Sequence, residues 1–330
     1  MLILAKSALV MMLGFIMAII LGIILIPILK SHKIGQKVSL QIGERHLSKD
    51  GTPTLGGLIF IIPTVVTMLL LWLRGSIELS SNIIILLVVF IGYALLGFAD
   101  DYLKLKFKNN AGLKIMTKLI IQTFIALIFF YIYMKNGNEP VVEITSLGFE
   151  MHLGWVYGLF ILLVLVGSSN AVNITDGLDG LAGGLSAIAF LAYGLLAWNA
   201  GWLQGYQEIA IFCFCLVGSL LGFLFYNTHP AKIFMGDTGS LSLGAALGTV
   251  AILTKHELLL VVVGGVFVVE TLSSMIQMIA IIKFNKKIFL MAPLHHHFEQ
   301  LGWAERDIVK LFWVAGLLLA MGAVTYGVWI

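Results

Sequence analysis

Asp100 and Asp101 stand side by side in Gly97-Phe98-Ala99-Asp100-Asp101-Tyr102, at the end of a long apolar run. Charge at membrane depth is costly unless paired or hydrated. Adjacent carboxylates repel each other, and a hard divalent cation such as Mg²⁺, which prefers carboxylate and phosphate oxygen, relieves that repulsion. Taken alone, the pair also reads as an interfacial cap hydrated by headgroup water. A second acidic stretch, Asn173-Ile174-Thr175-Asp176-Gly177-Leu178-Asp179-Gly180, places Asn173, Asp176 and Asp179 three apart. If its final residues begin a helix, the three converge on one face. Its glycines let backbone amides approach a ligand, and amides at a helix start favour phosphate. Ordinary capping explains one of these aspartates well and two poorly.

A third polar stretch runs from Asn227 to Ser240 and holds Phe234-Met235-Gly236-Asp237. Phe234 could stack a flat ring while Asn227 hydrogen-bonds its edge; a plain N-cap and an interfacial aromatic are the simpler roles. His295, His296 and His297 are consecutive and cannot all point to one side of a helix or strand, which argues against a three-histidine zinc site. Phosphate recognition by one or two of them fits better, with surface decoration the alternative. Lys49, with Thr52 and Thr54 ahead of another apolar run, could hold an anion or simply anchor a loop.

The elements that position these residues follow from composition. Hydrophobic residues make up 60% of the 330-residue chain and charged residues only 11%, against roughly 25% charged in soluble domains. Lipid is therefore the solvent for most of the chain. Ten long apolar runs read as transmembrane helices, about residues 8–29, 55–73, 83–99, 119–134, 153–169, 181–198, 209–226, 240–253, 258–282 and 308–330. The chain is thus expected to be an all-α polytopic membrane protein, one integral-membrane domain over 1–330. Alternation in 141–145 and 149–153 permits a small external β-hairpin.

Basic residues are retained on the cytoplasmic side during insertion. With an even number of spans and both termini external, only Lys6, Arg74, Lys135 and Lys255 of the 20 basic residues fall outside. All seven aspartates, Asp50 and Asp307 included, then share the cytoplasmic face. The first run leads into a basic loop without a cleavage site and reads as an anchor, not a removable signal. Cys213 and Cys215, two apart in one run, read as buried inert thiols, and the sequon at Asn173 as accidental. Glu270 is the one acid well inside a run and is expected to be structural or conformational, with no second ionisable group at its depth in that run. A formal net charge of +3 is small, and no nucleic-acid partner is expected.

Five motifs in order carry a resemblance: Thr52-Pro53-Thr54-Leu55-Gly56-Gly57, Asp100-Asp101-Tyr102, Asn173 to Gly180, Met235-Gly236-Asp237-Thr238-Gly239-Ser240, and Ala292-Pro293-Leu294-His295-His296-His297-Phe298-Glu299. Together they resemble the bacterial phospho-N-acetylmuramoyl-pentapeptide transferases, a branch of the polyprenyl-phosphate N-acetylhexosamine-1-phosphate transferases, over essentially the whole chain. The resemblance implies transfer of phospho-MurNAc-pentapeptide from UDP-MurNAc-pentapeptide to undecaprenyl phosphate, giving lipid I and UMP. It also implies Mg²⁺, a homodimer and a bacterial inner-membrane enzyme. By similarity, Asp237 is the main Mg²⁺ ligand, Asp100 the base or lipid-phosphate orienting group with Asp101 beside it, and Asp176 completes the polar site. Gly177, Leu178, Asp179, Asn227 and Phe234 would hold the uridine, while Lys49, Lys118 and one or more of the three histidines supply positive charge. Direct attack and a covalent aspartyl-phosphate intermediate both remain open at this point.

Three other classes fit the motifs less well. A sister transferase using UDP-GlcNAc would share the aspartate motifs but not the Ala292–Glu299 motif. An intramembrane aspartyl protease needs Gly-x-Gly-Asp, and Phe234 stands where its first glycine belongs. An ion-coupled transporter would place several ionisable groups near the midplane, where only Glu270 qualifies.

Overall fold

The computed structural model describes residues 2–32, 49, 51–107, 112–144, 149–200 and 205–329. Asp50, Lys33, Lys37, Arg45, Lys108 and the turn expected at 146–148 lie outside them. The long helices are α1 (Leu2–Ser31), α2 (Leu58–Leu73), α3 (Ser81–Phe107), α4 (Ile115–Lys135), α5 (Tyr157–Thr175), α6 (Leu181–Asn199), α7 (Tyr206–Asn227) and α8 (Gly236–Leu253). They are followed by α9 (Leu259–Val263), α10 (Gly265–Phe284), α11 (Leu294–Gln300) and α12 (Glu305–Trp329). Each of the ten expected runs is helical over most of its described residues. Eight helices are long and apolar enough to cross a membrane; α2 is a shorter apolar helix of 16 residues, and α8 is rich in Gly, Ala and Ser.

Burial explains the low hydropathy of α8. Every residue from Thr238 to Leu253 is buried, so this helix meets protein on all sides and needs small side chains more than large apolar ones. It packs chiefly on α3 and α5. The approach to α3 is close enough that a Cβ on Gly97 would collide with the backbone of Asp237. Small residues that let backbones meet are the usual means of helix association where lipid removes the hydrophobic drive. Helix α7, packed on α1, α2 and α6, is the second centre of the bundle and buries Cys213 and Cys215 as free thiols.

Two features depart from ten uninterrupted spans. The ninth run breaks at Gly264-Gly265 into α9 and α10, consistent with paired glycines as a kink site. The histidine stretch forms its own short helix, α11. The hairpin forms as the alternation predicts: β1 (Val141–Ile144) pairs antiparallel with β2 (Phe149–His152), Val141 opposite His152 and Ile144 opposite Phe149. At that same end of the bundle Lys255 bonds the Glu139 carbonyl. The described aspartates all lie at the opposite end, around the C-terminal ends of α3 and α5 and the N-terminal ends of α6, α8 and α12.

Candidate active site

The C-terminal part of α3 carries Asp100 and Asp101 on successive positions, about 100° apart around a helix. They consequently serve different partners. Asp101, nearly fully buried, accepts from Asp237 N at 3.1 Å, Thr238 N at 2.9 Å and Thr238 Oγ1 at 2.6 Å. It thus caps the start of α8, satisfying amides that a helix leaves orphaned. The expected electrostatic conflict between the adjacent carboxylates is resolved by this separation.

Asp100 turns instead into a cluster of opposite charges. Lys118 Nζ, from the first turn of α4, lies 3.0 Å from Asp100 Oδ1 and 3.3 Å from Asp237 Oδ2. Lys104 Nζ lies 2.8 Å from Asp100 Oδ2 and 3.0 Å from Asp237 Oδ2. Leu113 N donates to Asp100 Oδ1 at 2.6 Å. Asp100 Oδ2, although buried, receives no directed hydrogen bond and has only the nearby ammonium charge. Asp237, in the first turn of α8, also accepts from Asn173 Nδ2 at 3.0 Å, and the same amide donates to Ser240 Oγ at 2.8 Å. Lys104 was absent from the residues expected at the site. Its spacing of four from Asp100, one helical turn, was the available signal.

The convergence expected of Asn173, Asp176 and Asp179 does not occur, because α5 ends at Thr175 and α6 starts only at Leu181. Residues 176–180 form a turn that sends the three apart. Asn173 joins Asp237. Asp179 enters a second cluster, accepting from Lys49 Nζ at 2.7 Å and from Ala231 N at 3.0 Å, with His229 Nδ1 at 3.1 Å. Glu305, at the start of α12, accepts from Lys49 Nζ at 2.6 Å and Asp179 N at 2.7 Å, with His229 Nδ1 3.2 Å from its other oxygen. Asp176 stays between the clusters, half-buried; burial pushes its carboxyl up to about 7, with Asp237, Asp101 and Asp179 adding to the shift.

Among the described residues, Asp179, His229 and Glu305 are the one group whose ligand atoms lie close enough together to share an ion. Lys49 already takes the cation's place there, and each carboxylate oxygen has a donor or a histidine nitrogen. Between Asp100 and Asp237, two lysine ammonium groups take that place, but Asp100 Oδ2 has an ammonium beside it without a directed hydrogen bond, and carboxylate oxygens are what a hard cation prefers.

Around these clusters the remaining expected residues fall into place. Asn227 is buried and donates to the Ile233 carbonyl at 2.9 Å while accepting from Gly180 N at 3.1 Å, so its amide ties the 176–180 turn to the Phe234 loop. Phe234 N donates to the Pro53 carbonyl at 2.7 Å and its carbonyl accepts from Gly56 N at 2.8 Å, which joins the Thr52–Gly57 motif to the Phe234–Asp237 motif and leaves the Phe234 ring half-exposed. Thr54 and Leu178 are buried beneath the same loops. Lys49 lies well before the start of α2, so it meets carboxylates and not a helix N-terminus. The three histidines separate: His296 Nδ1 meets Glu299 at 2.6 Å, His297 Nδ1 accepts from Leu290 N at 3.2 Å, and His295 pairs with Glu270. Glu270 thus takes its ionisable partner from outside its own run, in α11.

Comparison with known proteins identifies the family. Glycosyl transferase family 4 matches residues 83–255, which include both Asp100 and Asp237. The phospho-N-acetylmuramoyl-pentapeptide-transferase of Geobacillus sp. (strain WCH70) is 49% identical over 98% of this chain and 98% of its own. That of Bacillus licheniformis is 48% identical over 96% of each chain, and that of Bacillus subtilis (strain 168) is 48% identical over 97% of each. With identity of this order sustained from end to end, the chain belongs to the phospho-N-acetylmuramoyl-pentapeptide-transferase family.

Proposed function

We propose that the protein catalyses the first membrane step of peptidoglycan synthesis, moving phospho-MurNAc-pentapeptide from UDP-MurNAc-pentapeptide to undecaprenyl phosphate to give lipid I and UMP. The observation that carries this reading is the Asp100–Asp237 pair, threaded by two lysines, at one end of an apolar helical bundle. In this reaction an oxygen of the acceptor phosphate attacks the sugar-bearing phosphorus of the donor, and the bond to the UMP phosphate breaks. Anion approaches anion, so catalysis consists mainly of neutralisation and positioning. Lys104 and Lys118 supply mobile positive charge for the phosphates. Asp100 orients them and, held by two ammonium groups and the Leu113 amide, is a poor nucleophile, which favours direct attack over an aspartyl-phosphate.

Asp237, with Asp100 and the side-chain amide oxygen of Asn173, whose amide nitrogen donates to Asp237, would hold Mg²⁺; all three offer the hard oxygen such an ion prefers. When bound, the ion would neutralise diphosphate charge. The 176–180 turn and the Phe234 ring form the nucleotide end, with Asp179 and Lys49 at its edge, and His295 and His296 lie toward the diphosphate. An apolar cavity of about 340 Å³ between α5, α8, α9 and α10, lined by Leu163, Val164, Leu247, Val261 and Phe267, suits a prenyl chain. One integral-membrane domain spans 1–330, the site faces the cytoplasm across the bacterial inner membrane and both termini are external, as the distribution of basic residues favours. The resemblance further implies a homodimer.

A purified transfer assay tests the reading. UDP-MurNAc-pentapeptide should turn over, UDP-GlcNAc should not, and chelation should stop the reaction until Mg²⁺ is restored. Preference for UDP-GlcNAc would reassign the donor, and full activity after chelation would remove the ion. Cysteine labelling at positions 106 and 76 checks topology: labelling of the former from outside intact cells would invert it.

A further inference from the structure

Glu270 is fully buried in α10, and both of its oxygens serve one residue. Oε1 accepts from the backbone N of His295 at 3.1 Å, and Oε2 lies 2.8 Å from His295 Nδ1. An ionised carboxylate can only accept, so the imidazole carries a proton on Nδ1. Nε2 is thereby set on the far side of the ring. It too is buried, and among the described residues it has no hydrogen-bond partner. It lies against the backbone of Gly177, so closely that a Cβ there would collide with it.

We propose that Glu270 is a positioning residue for the transfer reaction, holding His295 so that Nε2 points over the Asp176–Gly177 turn at the donor diphosphate. This rests on the reading that the donor occupies that turn. A purely structural stitch would satisfy both ring nitrogens, since a buried polar atom left without a partner costs about 1–3 kcal/mol. Here one nitrogen is fixed from behind and the other presented bare. Once protonated, Nε2 donates to an anionic oxygen while Glu270 balances the charge of the ring. The neighbouring histidine is set the other way: Nδ1 of His297 accepts from Leu290 N, which places its proton on Nε2 and commits the ring to shaping the loop before α11. Two rings two residues apart are thus held in opposite tautomers by what stands behind them.

The test uses the full-length enzyme in lipid nanodiscs with both substrates. Glu270→Ala should lower kcat about a hundredfold, the size of effect expected when a reacting group is misplaced by about 1 Å, with both KM values changed by no more than about threefold. Glu270→Gln, whose amide oxygen can still accept from Nδ1, should recover about tenfold of that loss, and Glu270→Ala/His295→Ala should be no slower than His295→Ala. Nitrogen-15 NMR of histidine-labelled enzyme reads the ring without turnover: the signal absent from His295→Ala should show a protonated Nδ1 in the native enzyme and lose that state in Glu270→Ala. Independent, multiplying losses in the double variant, a parallel rise of both KM values, or a His295 ring without a proton on Nδ1 would overturn the inference. If His295→Ala transfers normally, the reading of the site itself fails; if His295→Ala is inactive while Glu270→Ala is fully active, only the positioning role does.

Discussion

Two charge clusters sit at the same end of the bundle and share the same ingredients, yet they are wired differently. Around Asp100 and Asp237, two lysines serve two carboxylates and one buried carboxylate oxygen lacks a directed donor. Around Asp179 and Glu305, one lysine, one histidine and two backbone amides leave no carboxylate oxygen without a donor or a histidine nitrogen beside it. A saturated network holds a shape, because every displaced bond must be replaced. One with spare capacity can exchange partners with an incoming phosphate or cation at little cost. On the proposed function, the first cluster would be the working site and the second a clasp beside it, a difference that composition alone would not reveal.

The sharpest way to break this comparison is Asp237→Asn, which keeps the shape and removes a charge. Turnover should fall by roughly 10²–10³, the scale seen when a preorganised electrostatic contact is lost, while the helical circular-dichroism signal and the melting temperature remain near native. Normal activity with unchanged Mg²⁺ dependence would dissolve the distinction. Phe234→Ala comes next. Base stacking is worth about 1–3 kcal/mol, so donor affinity should drop roughly ten- to a hundredfold in an equilibrium binding assay. Affinity for undecaprenyl phosphate should hardly move, and equal weakening of both substrates would point to collapse of the loops instead.

The clasp should answer to stability more than to rate. Glu305→Ala leaves the buried Asp179 amide without an acceptor and Lys49 and His229 with Asp179 as their remaining partner, a loss of about 1–3 kcal/mol on the usual scale for an unmet buried group. The expected result is a lower melting temperature and a higher donor KM with kcat kept within about threefold. A collapse of kcat with native stability would move this cluster into the chemistry.

What the sequence disclosed and withheld follows from the same physics. The helices were legible because lipid demands long apolar runs, and the hairpin because alternation has a period of two. Each aspartate motif was legible because polar residues at membrane depth are exceptional. The partners were harder to see. Lys49 meets Glu305 across 256 positions, and His295 reaches Glu270 through a helix that its own sequence does not announce. Asp101 looked equivalent to Asp100 because adjacency in sequence conceals the turn of about 100° between them. Lys104 was hidden among basic residues that topology already explained. Gly264-Gly265 was visible as a pair of glycines inside an apolar run, but hydropathy does not register a break that costs no polar residue.

The smallest effect concerns the residue between the two clusters. Burial, reinforced by Asp237, Asp101 and Asp179, holds the Asp176 carboxyl at about 7 against 3.8 ordinarily. Between those limits the folded protein keeps a proton that the unfolded chain has released, so stability from this group is fully present below about 4 and declines as pH rises toward 7. Above about 7 both states are ionised and the penalty is constant. Asp176→Asn cannot ionise and should flatten that part of the curve of melting temperature against pH, measured in chelator so that no cation competes. The gain should appear at neutral pH and vanish near pH 4. Asp176 is half-buried, so solvent screening keeps the shift in melting temperature small. A loss at neutral pH that faded as pH fell would mean that the carboxylate is stabilised by a partner, and would place Asp176 inside one of the two clusters instead of between them.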